Sequence, residues 1–453
     1  MKDLICAKLQ NLANDLPVPI YIVGGAVRGY LVDKTLSSDI DLASSMPAEN
    51  LVPFLQKHGF TVKAEYPRTH TVMFIDNQTD AKYEFTSFRK EVYEVGGSHA
   101  PSSVELTDDI LEDAKRRDFK CNAIYYDIKN QKIVDPLNGV YDVENKILDT
   151  VKEPNKVFAS DGLRLLRLAR FAGELGYVPT EKVIESATAF AENVTALSGE
   201  RIYEELNRML IADLKYPYSP KTGHYDAFKI CQKTGVLKYI FPELSLGEGM
   251  PQRKDFHRYD VLEHSFRALL YSDPSVRLSA LLHDIGKAVV YLRDGTYHFH
   301  DEEGTEIARE RLLALKAPRS IIDDTCWLIL NHMYDLKADE PEHDVKRFIA
   351  DNYGRIERLL LLKEADIKAS SPDLVPLTVI RWRRICERMK NGLVPHSIKD
   401  LKIDGNDISS LGLKGKIVGV ILDKIFDKVL EEPYLNEREA LMSLAEKIKD
   451  GMI

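Results

Sequence analysis

The chain has no Cys-x-x-Cys pair, and its five cysteines are scattered. Neither a disulfide framework nor a zinc finger is expected, and a reducing compartment, the cytoplasm, is. No apolar run reaches the about 20 residues of a membrane helix, and the N-terminus lacks the apolar core of a signal peptide. Short-period repeats and low-complexity tracts are missing too. Positive charge is in deficit: 62 Lys and Arg face 71 Asp and Glu, a net charge of -9. That argues against a nonspecific nucleic-acid coat and leaves RNA binding to local basic patches. What is present is the composition of a soluble globular protein, 44% hydrophobic and 29% charged. At 453 residues it exceeds one ordinary core, so two to four domains are expected.

The most informative feature is Asp39-Ile40-Asp41, soon after Gly24-Gly25-Ala26-Val27-Arg28. Side chains alternate along a strand, so both carboxylates fall on one side. Two converging carboxylates can hold two Mg²⁺ ions, as polymerases do when joining a hydroxyl to a nucleotide. Ile20-Tyr21-Ile22-Val23 reads as a buried strand, and the glycines let backbone N–H groups approach a triphosphate. Asp-x-Asp also occurs in solvated loops, so its meaning depends on the motifs C-terminal to it.

Up to about Thr150 the pattern is mixed α/β, with strands such as Thr71 to Ile75 and Ala123 to Asp127. From Val157 on, helical periodicity dominates; Leu163 to Phe171 sets apolar residues against arginines, and Val418, Leu422, Ile425 and Val429 make a late stripe. Joints are expected at Gly247 to Pro251 and Ser370-Ser371-Pro372.

Three motifs come after the aspartates. Glu84 to Arg89 reads as a strand, with Glu84 a third carboxylate for the metals. Arg116 to Ala123 offers cations for phosphates, Arg117 among them, and Asp118 or Asn122 for ribose hydroxyls. Asp161-Gly162-Leu163-Arg164 opens a helix with Asp161 and Arg164 one turn apart. The Watson–Crick edges of C and A present an amino donor beside a ring-nitrogen acceptor; U and G present the reverse. A carboxylate beside a guanidinium selects the first pair and rejects the second. On spacing alone the same two residues make a surface ion pair.

Together these motifs, with Asp135 to Gly139 and Glu200-Arg201-Ile202, resemble the class II tRNA nucleotidyltransferase and poly(A) polymerase family, which includes CCA-adding enzymes. The likeness covers roughly the first half of the chain. Leu401 to Gly405, Gly412-Leu413 and Asn436 to Glu439 are similar to the family's tail. The resemblance implies an α+β nucleotidyltransferase head of the polymerase β type, followed by all-α neck, HD and tail domains. The expected segments are a head at 1–150, a nucleotide-selecting neck at 151–250, an HD domain at 251–371 and a tRNA-binding tail at 372–453. It also implies Mg²⁺ at Asp39 and Asp41 and a catalytic Glu84. Nucleotide contacts fall to Gly24, Gly25, Arg28, Arg117, Asp118, Asn122, Asp161, Arg164, Arg167 and Arg170. The substrates it implies are CTP, ATP and tRNA. Three departures stand out: Gly29 replaces the usual Asp after the Arg, Ser160 replaces a frequent Glu, and Tyr93 to Val104 lacks the common arginine-rich form of the family's flexible loop. Members that add only CC have a shortened loop, so this full-length segment favours terminal A addition.

A second constellation comprises His264, His283-Asp284, His300, His332 and Asp366. Its order resembles the HD phosphohydrolase superfamily. His264, His283, Asp284 and Asp366 match that superfamily's first-metal ligands, and His300 and His332 the extra histidines of two-metal members. Imidazole with carboxylate suits Mn, Fe, Ni or Zn, so an additional divalent transition metal is expected. His257 and His298 read as separate core or surface residues. An HD fold retained as scaffold is the competing reading.

Arg381 to Arg384, Lys414 and Lys416 are candidate phosphate contacts, with Trp382 packing in the core or stacking on a base. The leading expectation is a template-independent enzyme that builds the tRNA 3′ end from CTP and ATP. Alternatives are an A-adding enzyme or poly(A) polymerase, an HD phosphohydrolase, and a noncatalytic RNA-binding protein.

Overall fold

A computed structural model of the chain describes all residues except 2–3, 36–38, 93–100, 253–257, 372–373 and 452–453, with Asp39 described by its backbone alone. It divides into two compact units, Met1–Ser245 with Arg311–Ala317, and Leu246–Glu310 with Pro318–Ile453.

The first unit opens with nine strands: β1 (Tyr21–Val23), β2 (Asp39–Ser44), β3 (Thr61–Tyr66), β4 (Thr71–Ile75), β5 (Lys82–Ser87), β6 (Arg89–Val92), β7 (Ser103–Leu106), β8 (Tyr125–Asp127) and β9 (Lys132–Val134). Seven form one mixed sheet in the order β3-β4-β5-β2-β1-β8-β9. Only β2 and β5 pair in parallel; the other neighbours are antiparallel. Alternation explains the two faces of this sheet. Ile40 and Leu42, Tyr83 and Phe85, and Val72 and Phe74 are buried on one face. There Phe74 stacks on Tyr83 at 5.0 Å and Phe60 meets both edge-on. Burying each such ring is worth roughly 1.5–3 kcal/mol. Helix Ala48–Lys57 packs against β3, β4 and β5. The opposite face carries Asp41, Glu84 and Met73 in one cross-strand row.

β6 and β7 pair as a separate antiparallel ribbon. Of the segment 93–104 read as a flexible loop, 93–100 lie outside the described residues, while Ser103 and Val104 belong to β7. The strand expected over Ala123 to Asp127 begins at Tyr125, because Lys120–Asn122 form a 3₁₀ turn capped by Ala123. Beyond residue 150 the unit is helical apart from a two-residue strand, Val178–Pro179, paired with Ile147–Leu148. Leu163–Leu175 is the longest of its helices described in full, and its C-cap Gly176 has φ 66°, the left-handed conformation glycine adopts cheaply.

The second unit is helical. Helix Val261–Tyr271 packs against Ile356–Ser370. Its core joins Leu328, Leu359, Leu360 and Trp382 to Ile421, Leu422, Ile425 and Val429 of helix Lys416–Glu431. The predicted late stripe is therefore a core-facing one, with Val418 at its edge. The joint expected at Ser371-Pro372 falls partly outside the described residues. No helix among the described residues is long and apolar enough to cross a membrane.

Candidate active site and metal centre

The cleft grows from the register of β2 and β5. Asp41 is paired with Glu84, so the two carboxylates sit side by side on the open face. Asp39 is two residues earlier on β2, and its side chain lies outside what the structure describes. Partial desolvation in the cleft and the charge of Asp41 push the Glu84 carboxyl above its ordinary range. Carboxylates crowded in this way fit a divalent cation, which supplies the charge that relieves their repulsion.

Gly24 links β1 to helix Gly25–Asp33 with φ 75°. A Cβ there would stand 3.7 Å from Asp41 Oδ2 and 3.6 Å from the Asn122 carbonyl. The helix start carries no side-chain cap, and an N-terminus of this kind suits an anion. The cleft encloses about 460 Å³ and is lined by Asp41, Glu84, Arg89, Arg116 and Arg117, with Tyr66 and Met73 also on its wall.

Arg116 and Arg117 are held by a residue outside every motif singled out in the sequence, Asp113. This fully buried carboxylate accepts from Arg116 Nε at 2.7 Å, Arg117 Nη2 at 3.2 Å and the Tyr125 hydroxyl at 2.7 Å. Burial opposes its charge, yet the two guanidinium groups hold its pKa down to about 2. The signal that could have found it is an Asp three and four residues before an Arg pair on one helix.

Arg28, Asp118, Asn122 and Arg167 form one hydrogen-bonded chain. Asp118 accepts from Arg167 Nε at 2.7 Å and from Asn122 Nδ2 at 3.1 Å. Arg28 donates through Nη1 to Asn122 Oδ1 and through Nη2 to the Tyr216 hydroxyl, 3.1 Å away. Arg28 is 1% exposed and lies 5.4 Å from the Phe171 ring centre. Tyr216 stacks on Tyr218 at 5.0 Å; neither tyrosine had a sequence signal. Gly29, the departure from the usual Asp, leaves space near the Tyr218 hydroxyl, 4.0 Å from where its Cβ would be.

Asp161 ends helix Pro154–Ser160, and Arg164 lies in the first turn of the next. Asp161 Oδ1 accepts from Leu163 N at 2.9 Å, while Arg164 Nε is 3.7 Å from Asp161 Oδ2. Arg164 Nη2 donates to the Arg116 carbonyl at 2.7 Å and Nη1 to Ser160 Oγ at 3.4 Å. Ser160 thus supports the guanidinium at the place where a Glu is common. Arg170 is enclosed: it donates to Glu205 at 2.6 Å and to Glu174 at 3.0 Å.

The second unit gathers all six residues of the HD set. His264 is on helix Val261–Tyr271, His283 and Asp284 join two short helices, His300 opens His300–Ala314, His332 caps Arg319–Asn331, and Asp366 is on Ile356–Ser370. Their Nε2 atoms converge on Asp284. Oδ2 lies 3.3 Å from His264 and 3.2 Å from His283; Oδ1 lies 3.2 Å from His300 and 3.7 Å from His332. Asp366 Oδ1 is 3.0 Å from His264 and 3.6 Å from His283. The Nδ1 atoms of His283, His300 and His332 face the backbone carbonyls of Ala280, Tyr297 and Ile329 at 2.8, 2.8 and 2.6 Å. A neutral imidazole that donates from Nδ1 presents a lone pair at Nε2. Yet His300 and His332 point Nε2 at each other across 3.3 Å. Two lone pairs in that position need positive charge between or beside them. Burial lowers the pKa of His264 and His332, favouring the neutral, ligating form, whereas Asp284 and Asp366 outweigh burial at His283 and raise its pKa to about 10, so that a cation binding there displaces its proton. Burial opposes the charge of Asp284 and Asp366, but His283 facing the first and His264 the second hold both carboxyls well below their usual range. The donors fit two cations, one at His264, His283, Asp284 and Asp366, the other at Asp284, His300 and His332.

Gly286 makes this approach possible: a Cβ there would stand 2.3 Å from the His300 carbonyl and 2.6 Å from Gly304 N. Lys363, also without a sequence signal, is 2% exposed and donates to the carbonyls of His332 and Tyr334, both at 2.6 Å. His298 is exposed, and His257 lies outside the described residues. Trp382 is fully buried and donates to Asp335 at 2.7 Å, so the core-packing alternative holds for it. Arg381 and Arg383 are ion-paired with Asp335 and Glu364.

Residues 20–149 match the family described as Poly A polymerase head domain, and 261–367 the HD domain family. The chain is 31% identical over 318 residues to a Multifunctional CCA protein of Acinetobacter baumannii strain SDF, covering 66% of this chain and 70% of that one. Its fold is similar to the CCA-adding enzyme of Bacillus stearothermophilus in complex with CTP, with TM-score 0.68, 21% identity and 98% of each chain covered. It is likewise similar to the Thermotoga maritima CCA-adding enzyme complexed with tRNA, with TM-score 0.66, 18% identity and 98% and 97% covered.

Proposed function

The chain belongs to the CCA-adding tRNA nucleotidyltransferase family, and on that premise we propose that it adds C and A from CTP and ATP to the 3′ end of tRNA. The observation that carries this is the alignment of Asp41 with Glu84 beside the Asp113-anchored arginines, in the same unit as Asp161 and Arg164. The primer's 3′ oxygen forms a bond to the α-phosphorus, the bond to the β-phosphate oxygen breaks, and pyrophosphate leaves. Asp39 and Asp41, with Glu84 beside them, would hold Mg²⁺, which supplies charge for the attacking and leaving oxygens. Gly25, at the helix start, brings backbone N–H groups close to the triphosphate, and Gly24, whose own N–H donates to the Ile124 carbonyl, makes the turn that permits it. Arg117 neutralises phosphate oxygens. The chain Arg28–Asn122–Asp118–Arg167 fixes the side chains that meet the ribose, and Arg170, tied to Glu174 and Glu205, holds the helix that carries Arg167. Asp161 and Arg164 act as the template. In this reading the head is 1–150, the neck 151–250, the HD domain 251–371 and the tail 372–453. The five cysteines, all free thiols, support a cytoplasmic setting.

The test is primer extension with tRNAs ending before CCA, after C and after CC. CTP should extend the first two and ATP the third, and Asp41→Ala should abolish all three. Extension of the third alone would make the protein an A-adding enzyme. Near-normal extension by Asp41→Ala would remove the metal-site assignment.

A second activity is favoured by the convergence of four Nε2 atoms on one bridging carboxylate. We propose that the HD centre holds a divalent transition metal pair and hydrolyses phosphomonoesters or 2′,3′-cyclic phosphates. Metal bound there supplies a hydroxide at neutral pH. Metal analysis of untreated protein tests it: neither metal nor hydrolysis after reconstitution with Mn²⁺ or Ni²⁺ would leave a scaffold.

A further inference from the structure

An apolar strip runs outward from the catalytic carboxylates. Asp41, Glu84 and Met73 stand in one cross-strand row; Thr86, Thr71 and Tyr66 stand in the next. Strand spacing puts Met73 about 10 Å and Tyr66 about 14 Å from β2. Met73 is 37% exposed and Tyr66 48% exposed, and both line the cleft that holds Asp41 and Glu84. The same sheet buries Phe74 and Tyr83 on its other face, so this face has apolar side chains left in water. Tyr66 precedes the turn Pro67–Thr69, whose last carbonyl accepts from Arg89.

The direction of the reaction says what would cover this strip. In-line displacement sets the attacking hydroxyl opposite the departing pyrophosphate. Arg117, Asp118 and Asn122 lie on the chain leading into β8, on the β1 side of β2, and Arg164 is tied to the Arg116 carbonyl. The primer must then enter over β5, β4 and β3. Its terminal base also changes at each addition. A hydrogen-bonding pocket would suit only one of those bases, whereas an aromatic face suits all, because every base has a π-face.

We propose that Tyr66 and Met73 bind the 3′-terminal bases of the tRNA primer, Tyr66 by stacking and Met73 by packing against the last nucleotide. This rests on the nucleotidyl-transfer reading. Steady-state extension of tRNA ending before CCA, using the full chain, separates the Michaelis constants for tRNA and CTP. Tyr66→Ala should raise KM for tRNA by about tenfold, the scale of one lost stacking contact, and leave that for CTP unchanged. Tyr66→Phe keeps the ring and should behave as wild type. Met73→Ala removes the packing surface and should also raise the tRNA KM. Tyr66 is half exposed and caps nothing with its side chain, so its loss leaves the fold intact. If wild type extends tRNA and Tyr66→Ala leaves the tRNA KM unmoved, this inference falls alone. If wild type extends no tRNA, the nucleotidyl-transfer reading falls and takes it along.

Discussion

Replacing Asp161 with Ala separates two roles that one carboxylate plays. Oδ1 accepts from Leu163 N, the first N–H of helix Leu163–Leu175, at 2.9 Å, and so closes that helix start from the residue before its N-cap Gly162. Oδ2 faces Arg164 Nε at 3.7 Å, and in the proposed reading this carboxylate–guanidinium pair, only 4–5% exposed here, meets the base. Losing the cap should cost about 1 kcal/mol. In a unit of roughly 250 residues that lowers Tm by about 2–4 °C. Losing the acceptor removes one hydrogen bond to the amino group of C or A, and it also removes oxygen–oxygen repulsion against U or G. The expected loss of discrimination is on the order of 1–3 kcal/mol, or about 5- to 150-fold. The assay is single-nucleotide extension, reading the ratio of kcat/KM for CTP over UTP. Asp161→Asn provides the control. Its carbonyl oxygen retains the cap, while its amide presents a donor where an acceptor stood. Tm should recover and the ratio should stay low. A ratio unchanged in both variants, with the Tm loss present in Asp161→Ala, would mean that the carboxylate only caps the helix and that selection lies elsewhere.

Gly286→Ala should separate the helices carrying Asp284 and His300, because the new Cβ meets backbone at 2.3 Å; metal content of the HD unit should fall while tRNA extension persists. Asp113→Asn should destabilise the head by about 2 kcal/mol at pH 7, since a carboxyl held at about 2 stabilises the fold above its unfolded pKa of 3.8 and loses that effect as pH falls through 2; denaturant titration at several pH values reads this. Asp142→Asn should do the opposite. Burial, with Asp149 and Asp135 nearby, pushes this carboxyl up to about 6, so its favourable protonated state is complete below 3.8 and lost as pH rises through 6. The substitution should raise Tm at pH 7.5 and have little effect below pH 4.

Much of the site was legible because it depends on short-range rules. Period-two alternation on a strand sets Asp41 on the open face, and a strand beginning near Glu84 needs only pairing beside β2 to bring a second carboxylate to it. The HD residues are identifiable by type and order, since imidazole and carboxylate are both transition-metal donors and recur here in one ordered set. What stayed hidden depends on contacts far apart in sequence. Arg28 meets Tyr216 across 188 positions and Asn122 across 94. Nothing near Arg28 announces that its guanidinium will be 1% exposed. Tyr216 and Tyr218 read as ordinary loop aromatics until helix packing sets them against it.

Buried charges show the limit most clearly. Asp113, Arg170, Lys363 and Asp335 have the composition of surface residues, and each is nearly inaccessible. A charge enters an interior only when partners replace its hydration, and those partners come from other elements. Lys363 shows the consequence for function. It lies on helix Ile356–Ser370, one turn before Asp366, and binds the carbonyl of His332, which belongs to the opposite metal position. One ammonium thus ties the backbone at one set of ligands to the helix bearing the other. Burial pushes that ammonium down to about 8 despite Asp366 and Asp335 nearby. Lys363→Met keeps the length and removes the donor. It should loosen the His300–His332 pair first and lower metal content from two ions towards one. An unchanged content of two would show that packing around Trp382 holds His332 without help.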